Sequence, residues 1–381
     1  MIFKRFIAYN NLTIVSILTR LIQSCRFIIF AGLEREYNET GNPAMPVDIR
    51  PQDISVLFLY NMDPGWSPQE LKEINELTCK TYESFCSAGY TVVKLPVTGD
   101  NLPEVLSHYN PIEHIVFNWC ECLPGIFHSE WLVADYLEKG NFTFTGAASD
   151  VLAKTQDKKL IKKLLDDSGI CTPYWQIYDT DSPVNWERFP AIVKPSMEHC
   201  SEGIDRNAIC LNKEELLNRI SFVNHTFKQP ALVEDFIDGR ELHVSLWGNG
   251  HIEMLPPAEM DFSMLTDRRE RLCGYEAKFV PGSVQYESIR TLLPAPLTEE
   301  ELLKVEQACK AAYKVTGCRD YGRIDLRMKD GFVYILDVNP NSDISPDTST
   351  ILSAEIEGYN YERFIDRIIR LAAHRHPVWG R

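Results

Sequence analysis

The sequence has no run of Lys and Arg, and its 39 basic residues face 54 acidic ones for a formal charge of −15. A duplex-binding surface needs clustered cations to displace counterions from phosphate. Nucleic acid is therefore not an expected partner, although a local cationic pocket for a small anion stays open. There is no C-x-x-C pair among the eleven Cys, and the one close pair, Cys120 and Cys122, is a weak metal signal. An odd, scattered set in a chain of 381 residues reads as reduced thiols of a cytoplasmic protein, most of them in the core. A bilayer-spanning helix needs about 20 apolar residues. The longest charge-free stretch near the start, Phe6 to Thr19, is shorter and is interrupted by Asn10, Asn11 and Thr13. No membrane partner is expected, and no internal repeat or low-complexity segment is present.

The first 44 residues differ from the rest, with five basic and three acidic residues. Lys4 and Arg5 resemble the basic start of a signal peptide, but the apolar segment is poor, and Arg20 and Arg26 argue against one. Met45-Pro46 lies just ahead of the first clear strand. Residues 1–45 are expected to be an extension of doubtful structure, with Met45 as an alternative start.

What remains is long enough, with 44% hydrophobic residues overall, for two or three packed units. Ile54–Tyr60, Tyr90–Leu95 and His114–Trp119 read as buried strands, and Pro68–Ser87 has helical spacing. Strand–helix alternation of this kind predicts a parallel α/β unit with ligands at the carboxyl ends of its strands. Further on, Thr155–Ser168 predicts an amphipathic helix closed by Gly169 and Pro173. Strands follow at Pro190–Pro195, Ala231–Phe236 and Glu241–Trp247, with Asp238-Gly239 as a turn between the last two. Helices are predicted over Asn212–Val223, Leu297–Thr316 and Asn360–His374. Tyr321–Met328 and Phe332–Val338 predict a hairpin across Lys329-Asp330-Gly331.

That hairpin carries the strongest chemical signal. Residues i and i+2 of a strand share a face. Arg323 and Asp325 therefore point one way, as do Asp337 and Asn339, and pairing brings two carboxylates and one amide oxygen together. Hard oxygen ligands suit Mg²⁺ bound to a substrate phosphate, and Arg323 can clamp a charged oxygen. A solvated surface hairpin is the bland alternative, but Ile324, Leu326, Ile335, Leu336 and Val338 make the flanks apolar. Lys194 sits at the mouth of a buried strand, followed by a short polar loop that ends in Gly203. A lysine there can meet phosphate, and the loop's N–H groups can close over it; alone, an ordinary strand-end lysine reads equally well. In Val233-Glu-Asp-Phe-Ile-Asp-Gly-Arg-Glu241, Glu234 can meet an adenine edge and Glu241 a ribose hydroxyl, with a plain acidic turn as the alternative.

In this order and spacing, these pieces resemble the ATP-grasp superfamily, and most closely its D-alanine–D-alanine ligase-like branch. The matching pieces are Thr145-Gly146, Asp157-Lys158, Val193-Lys194-Pro195, Leu232-Val-Glu234, Gly239-Arg-Glu241, Tyr275-Glu-Ala-Lys278, Gly322-Arg-Ile-Asp325 and Asp337-Val-Asn339. The resemblance spans roughly Asp53 to His374. It implies an ATP-grasp fold of mixed α/β and α+β class: an N-terminal parallel α/β domain (46–150), a central subdomain (151–239) and a C-terminal catalytic subdomain (240–381), the last two forming jaws around a nucleotide cleft. Lys158 and Lys194 are then expected at the ATP phosphates, and Lys278 at the γ-phosphate. Glu234 and the Ile237 backbone are expected at adenine, and Glu241 at ribose. Asp325, Asp337 and Asn339 would hold Mg²⁺, or Mn²⁺ in its place, and Arg323 the oxyanion. The implied reaction joins a small-molecule carboxylate to an amine through an acyl phosphate, releasing ADP and phosphate. Cell-wall D-alanine–D-alanine ligation and a non-catalytic nucleotide-binding scaffold are the alternatives. Relatives are often dimers, which admits a homodimer.

Departures accompany the match. The phosphate loop reads Glu198-His199-Cys200-Ser201-Glu202-Gly203, where the branch usually has Glu-Gly-Ser-Ser-x-Gly. The usual metal-bridging Glu is Asp337. Phe279 has no hydroxyl with which to tie the loop. The segment after Asn339 is not the Thr-x-Pro-Gly type. Glu70 and Glu73 are only candidates for reading the first substrate's amino group. Together these put D-alanine itself in question.

Overall fold

A computed structural model describes residues 49–99, 101–199, 201–280 and 282–380. The 1–45 extension and Cys200 lie outside the described residues, as does the side chain of Phe279.

The first sheet is parallel. Its strands are β1 (Ser55–Asn61), β2 (Thr91–Val97), β3 (His114–Trp119) and β4 (Thr143–Phe144), in the order β2-β1-β3-β4. Helix α1 (Pro68–Ser87) starts where its sequence says it should. Ser67 caps it in a reciprocal box with Glu70, and Pro68 fills the first turn. Ile74, Thr78, Thr81 and Phe85 form its buried stripe. Short helices α2 (Leu102–Ser107) and α3 (Glu130–Lys139) complete the crossovers.

The helix predicted over Thr155–Ser168 is α5 (Lys158–Asp167), and a further helix outside the predicted set, α4 (Ser149–Gln156), precedes it. Asp157 breaks the run. It adopts an extended conformation and its carboxylate caps the Lys159 and Leu160 N–H groups, the competition that makes Asp a better cap than an interior residue.

The second sheet is antiparallel, in the order β5 (Trp175–Tyr178), β8 (Ala231–Asp235), β6 (Ala191–Pro195) and β7 (Ile209–Cys210), with α6 (Lys213–Phe227) packed against it. The third follows the order β12 (Arg290–Leu292), β11 (Ala258–Asp261), β9 (Arg240–Trp247), β13 (Tyr321–Lys329), β14 (Phe332–Asn339), and β10 (Glu253–Met254) also pairs with β9. Strands β8 and β9 therefore belong to different sheets. The segment around Asp238-Gly239 crosses from one sheet to the other and is not a hairpin turn as expected. Periodicity places strands but does not choose their partners.

Helix α7 (Tyr275–Phe279) and helix α8 (Val284–Ser288) bridge β11 and β12 in the chain. Helix α9 (Glu299–Thr316), capped by a Thr298–Glu301 box, covers the apolar face of β9, β13 and β14. After α10 (Ser349–Ile356), helix α11 (Tyr361–Ala373) returns to the first sheet. Its Phe364, Ile365, Ile368 and Ile369 share a core with Phe58, Phe85 and Phe117. The carboxyl ends of the parallel strands thereby face the segment that follows β14.

Candidate active site

One face of the third sheet is polar, and the register explains it. Glu241, His243 and Ser245 of β9 lie opposite Arg327, Asp325 and Arg323 of β13. Asp325 and Arg323 in turn lie opposite Asp337 and Asn339 of β14. The intervening Leu242, Val244, Leu246, Ile324 and Leu326 point the other way, into the core under α9. One irregularity is essential. The pairing slips between Asp325 and Leu326, so that Asp325 opposes Asp337 while Leu326 opposes Ile335. In a regular strand Ile335 and Asp337 would share a face; the bulge keeps Ile335 in the core and turns Asp337 to the polar side.

The predicted metal ligands and Arg323 do converge. Arg323 donates to both oxygens of Asp325, at 2.7 and 3.0 Å. Asn339 Nδ2 donates to Asp325 Oδ2 at 3.1 Å, so its amide would turn over to offer its oxygen. Lys158, at the start of α5, reaches across to Asp337 Oδ2 at 2.9 Å. Burial alone would raise both carboxyls; Arg323 and His243 hold Asp325 at about 2, and Lys158 and His199 keep Asp337 below its usual range.

The residues expected on the nucleotide side also assemble. Glu234 is fully buried between two lysines, with Lys194 Nζ 2.6 Å from Oε2 and Lys162 Nζ 2.5 Å from Oε1. Sequence reasoning missed Lys162. The signal was present, since Lys158 and Lys162 lie one turn apart on α5, on the side of buried Ile161 and Leu165. The Ile237 carbonyl accepts from Arg327 Nη1 at 2.7 Å and from the Gly239 N–H at 3.0 Å, so the backbone group it has left for a base is its N–H. Glu241 accepts from Arg327 and lies 3.5 Å from His243 Nε2; burial would raise its pKa, yet these two neighbours hold it at about 2. Glu241, His243 and Cys273 are also the one group of three metal-ligating side chains found among the described residues.

The loop expected at the phosphates meets α7 through Lys278, whose Nζ donates to Ser201 Oγ at 2.9 Å, while Ser201 Oγ donates to the Cys273 carbonyl at 3.1 Å. Gly203 has φ +71°, and a Cβ there would come within 2.7 Å of Pro195 and 2.8 Å of Phe227. Burial and Lys158 lower His199 to about 4, leaving its imidazole neutral at pH 7.

A second carboxyl group of residues lies at the end of the parallel strands. Burial pushes Glu130 up to about 7; burial, with Asp343 and Glu130 nearby, pushes Glu121 up to about 8. Asp343 is raised by burial as well. Asn341 donates to Glu130 Oε1 at 2.8 Å and accepts from the Ala147 N–H at 2.9 Å. Gly146 is glycine for this contact, since a Cβ would lie 2.5 Å from Asn341 Oδ1. Glu70 closes the cap of α1, and Glu73 accepts from Gln69 at 2.8 Å. The carboxyl near Asp343 is Glu121, with Glu130 next to Glu121, and no motif marked either.

The family model "D-ala D-ala ligase C-terminus" matches residues 177–370. The chain is 31% identical over 265 residues to the uncharacterized protein y4sG of Sinorhizobium fredii, covering 69% of this chain and 75% of that protein. It is 28% identical over 284 residues to the D-alanine–D-alanine ligase of Pseudothermotoga lettingae, covering 74% and 89%. The Bacillus anthracis D-alanine–D-alanine ligase solved in complex with ATP superposes with TM-score 0.64 at 20% identity, over 85% of this chain and 98% of that one. The chain belongs to the D-alanine–D-alanine ligase family and has its ATP-grasp fold.

Proposed function

We propose that the protein is an ATP-dependent carboxylate–amine ligase that forms an amide through an acyl phosphate and releases ADP and phosphate, with an amino acid as one substrate. The observation that carries this reading is the polar ladder of β9, β13 and β14, on which Arg323, Asp325, Asp337 and Asn339 meet opposite Lys158.

A carboxylate is a poor acylating agent at neutral pH, and phosphorylation gives it a leaving group. The protein's task is then to position reactants and offset charge. Lys158, Lys194 and Lys278 are assigned to the ATP phosphates. Glu234 and the Ile237 N–H are assigned to the base, and Glu241 to the ribose. Asp325 and Asp337, with Asn339, suit Mg²⁺ in donor chemistry, because both carboxyls are held ionised and each is offset here by a cation, Arg323 or Lys158. Bound there, Mg²⁺ or Mn²⁺ would neutralise phosphate charge during transfer. Arg323 then stabilises the oxyanion that forms when the amine attacks. The loop 198–203, tied to α7 by Ser201 and Lys278, keeps water from the acyl phosphate. Glu121, Glu130 and Asp343 are assigned to an ammonium group of the amino acid. We divide the chain into units 46–150, 151–239 and 240–381 and place the reaction in the cytoplasm.

The test is ADP release with Mg²⁺ and a panel of D- and L-amino acids, singly and in pairs. Turnover with several amino acids is expected. Turnover with D-alanine alone would favour cell-wall ligation, in line with relatives that are D-alanine–D-alanine ligases. No turnover with any pair would favour a scaffold and overturn the reading.

A further inference from the structure

We infer that Arg327 is the positioning residue of the nucleotide pocket: it aims Glu241 at the ribose and holds the crossing segment at Ile237 in place for the base. The inference rests on the assignment of Glu241 to ribose.

Arg327 belongs to none of the matching motif pieces. It follows Asp325 by two residues and so lies on the same polar face of β13. It is 2% exposed, a position in which an uncompensated guanidinium would be costly. The structure compensates it from three segments. Nε and Nη2 donate to Glu241 Oε2 at 2.9 and 2.7 Å, Nη1 donates to the Ile237 carbonyl at 2.7 Å, and Nη2 donates to the Arg271 carbonyl at 2.5 Å. The guanidinium also packs on aromatic rings, with centroids at 4.7 Å for Phe236 and 5.3 Å for Phe262. A planar fork is what these contacts require; an ammonium has three donors and no plane.

The consequence lies in what Glu241 has left. Arg327 takes Oε2 twice, and the other oxygen, Oε1, faces His243 at 3.5 Å. Oε1 is the oxygen available to a hydroxyl. Without Arg327 the carboxylate loses the contact that sets its direction, and the Ile237 carbonyl loses its side-chain donor from β13. Arg327 therefore acts on ribose and base through two other groups.

The test measures dissociation constants of Mg²⁺–ATP, 2′-deoxy-ATP and 3′-deoxy-ATP for the full chain and for Arg327→Met, Arg327→Lys, Glu241→Ala and the Arg327→Met/Glu241→Ala pair. The wild-type chain should prefer ATP over at least one deoxy form by roughly tenfold, the scale of a charge-assisted hydrogen bond. Arg327→Met should erase most of that preference, and the pair should discriminate no worse than Glu241→Ala, because both changes remove the same contact. A general loss of structure would weaken all three nucleotides alike and leave their ratios unchanged. Folded Arg327→Met with the wild-type ratio overturns the inference. If Arg327→Met does not fold, Arg327→Lys decides: a reduced ratio supports the inference and an unchanged one overturns it. If Glu241→Ala leaves the ratio intact, or the wild-type chain shows no preference, the ribose assignment itself fails and Arg327 has nothing to aim.

Discussion

Replacing Lys162 with Met removes one of the two cations that flank a fully buried carboxylate. Lys162 is 1% exposed and Glu234 is 0% exposed. Lys162 also donates to Thr172 Oγ1 at 2.7 Å and to the Ile335 carbonyl at 3.3 Å, which links α5 to β14. Removing one partner of a buried ion pair costs about 3–5 kcal/mol. Glu234 keeps Lys194, so the lower end applies, about 3 kcal/mol. For a chain of 381 residues that lowers Tm by about 4 °C. The two lysines hold the Glu234 carboxyl below its usual value of 4.5 against the effect of burial. A depressed carboxylate contributes stability above its unfolded pKa and loses it as pH falls through the folded value. Unfolding at pH 7, followed by Trp fluorescence in urea and by thermal melting, therefore reads the full effect. The Lys162→Met/Glu234→Gln pair should recover about 1.5 kcal/mol of the loss, because no carboxylate is then left short of a cation. A single variant within about 1 kcal/mol of wild type, or a pair less stable than the single, would refute the argument that charge compensation at Glu234 dominates.

Asp337→Ala should abolish Mg²⁺-dependent ADP formation while the thermal melt stays cooperative; near-normal turnover at saturating Mg²⁺ would remove Asp337 from the metal set. Lys278→Met should slow phosphoryl transfer or weaken ATP binding, since its ammonium meets the loop at Ser201. An effect confined to the KM of the amine would contradict that. Glu121 and Glu130, raised to about 8 and about 7, become anionic only as pH climbs through those values. The KM of an amino acid held by its ammonium should therefore fall between about pH 6.5 and 8.5, and Glu121→Gln/Glu130→Gln should flatten the profile. In the free protein the same raised values mean that stability is lost as pH rises above the unfolded value of 4.5.

The sequence alone determined the local elements and the chemistry of the hairpin. Helix α1 runs over the predicted Pro68–Ser87 because its cap, proline and apolar stripe agree. Arg323, Asp325, Asp337 and Asn339 could be read from alternation because side chains of a strand repeat every two residues. The resemblance then supplied the order of the lysines and acids. Tertiary structure decided the rest. Whether β8 pairs with β9 depends on which other strands compete for each edge, and those lie far off in the chain. The bulge beside Leu336 is a matter of register, and register is a property of two strands and not of one. Glu121 and Glu130 come near Asp343 only through the fold, which brings the end of β3 to a residue more than 200 positions away. Arg327 belongs to no motif, and its role is set by Glu241, Ile237 and Arg271, which close around it in the fold. Motif spacing records neighbours along the chain; a buried charge is defined by the groups that replace its water, and folding alone gathers them.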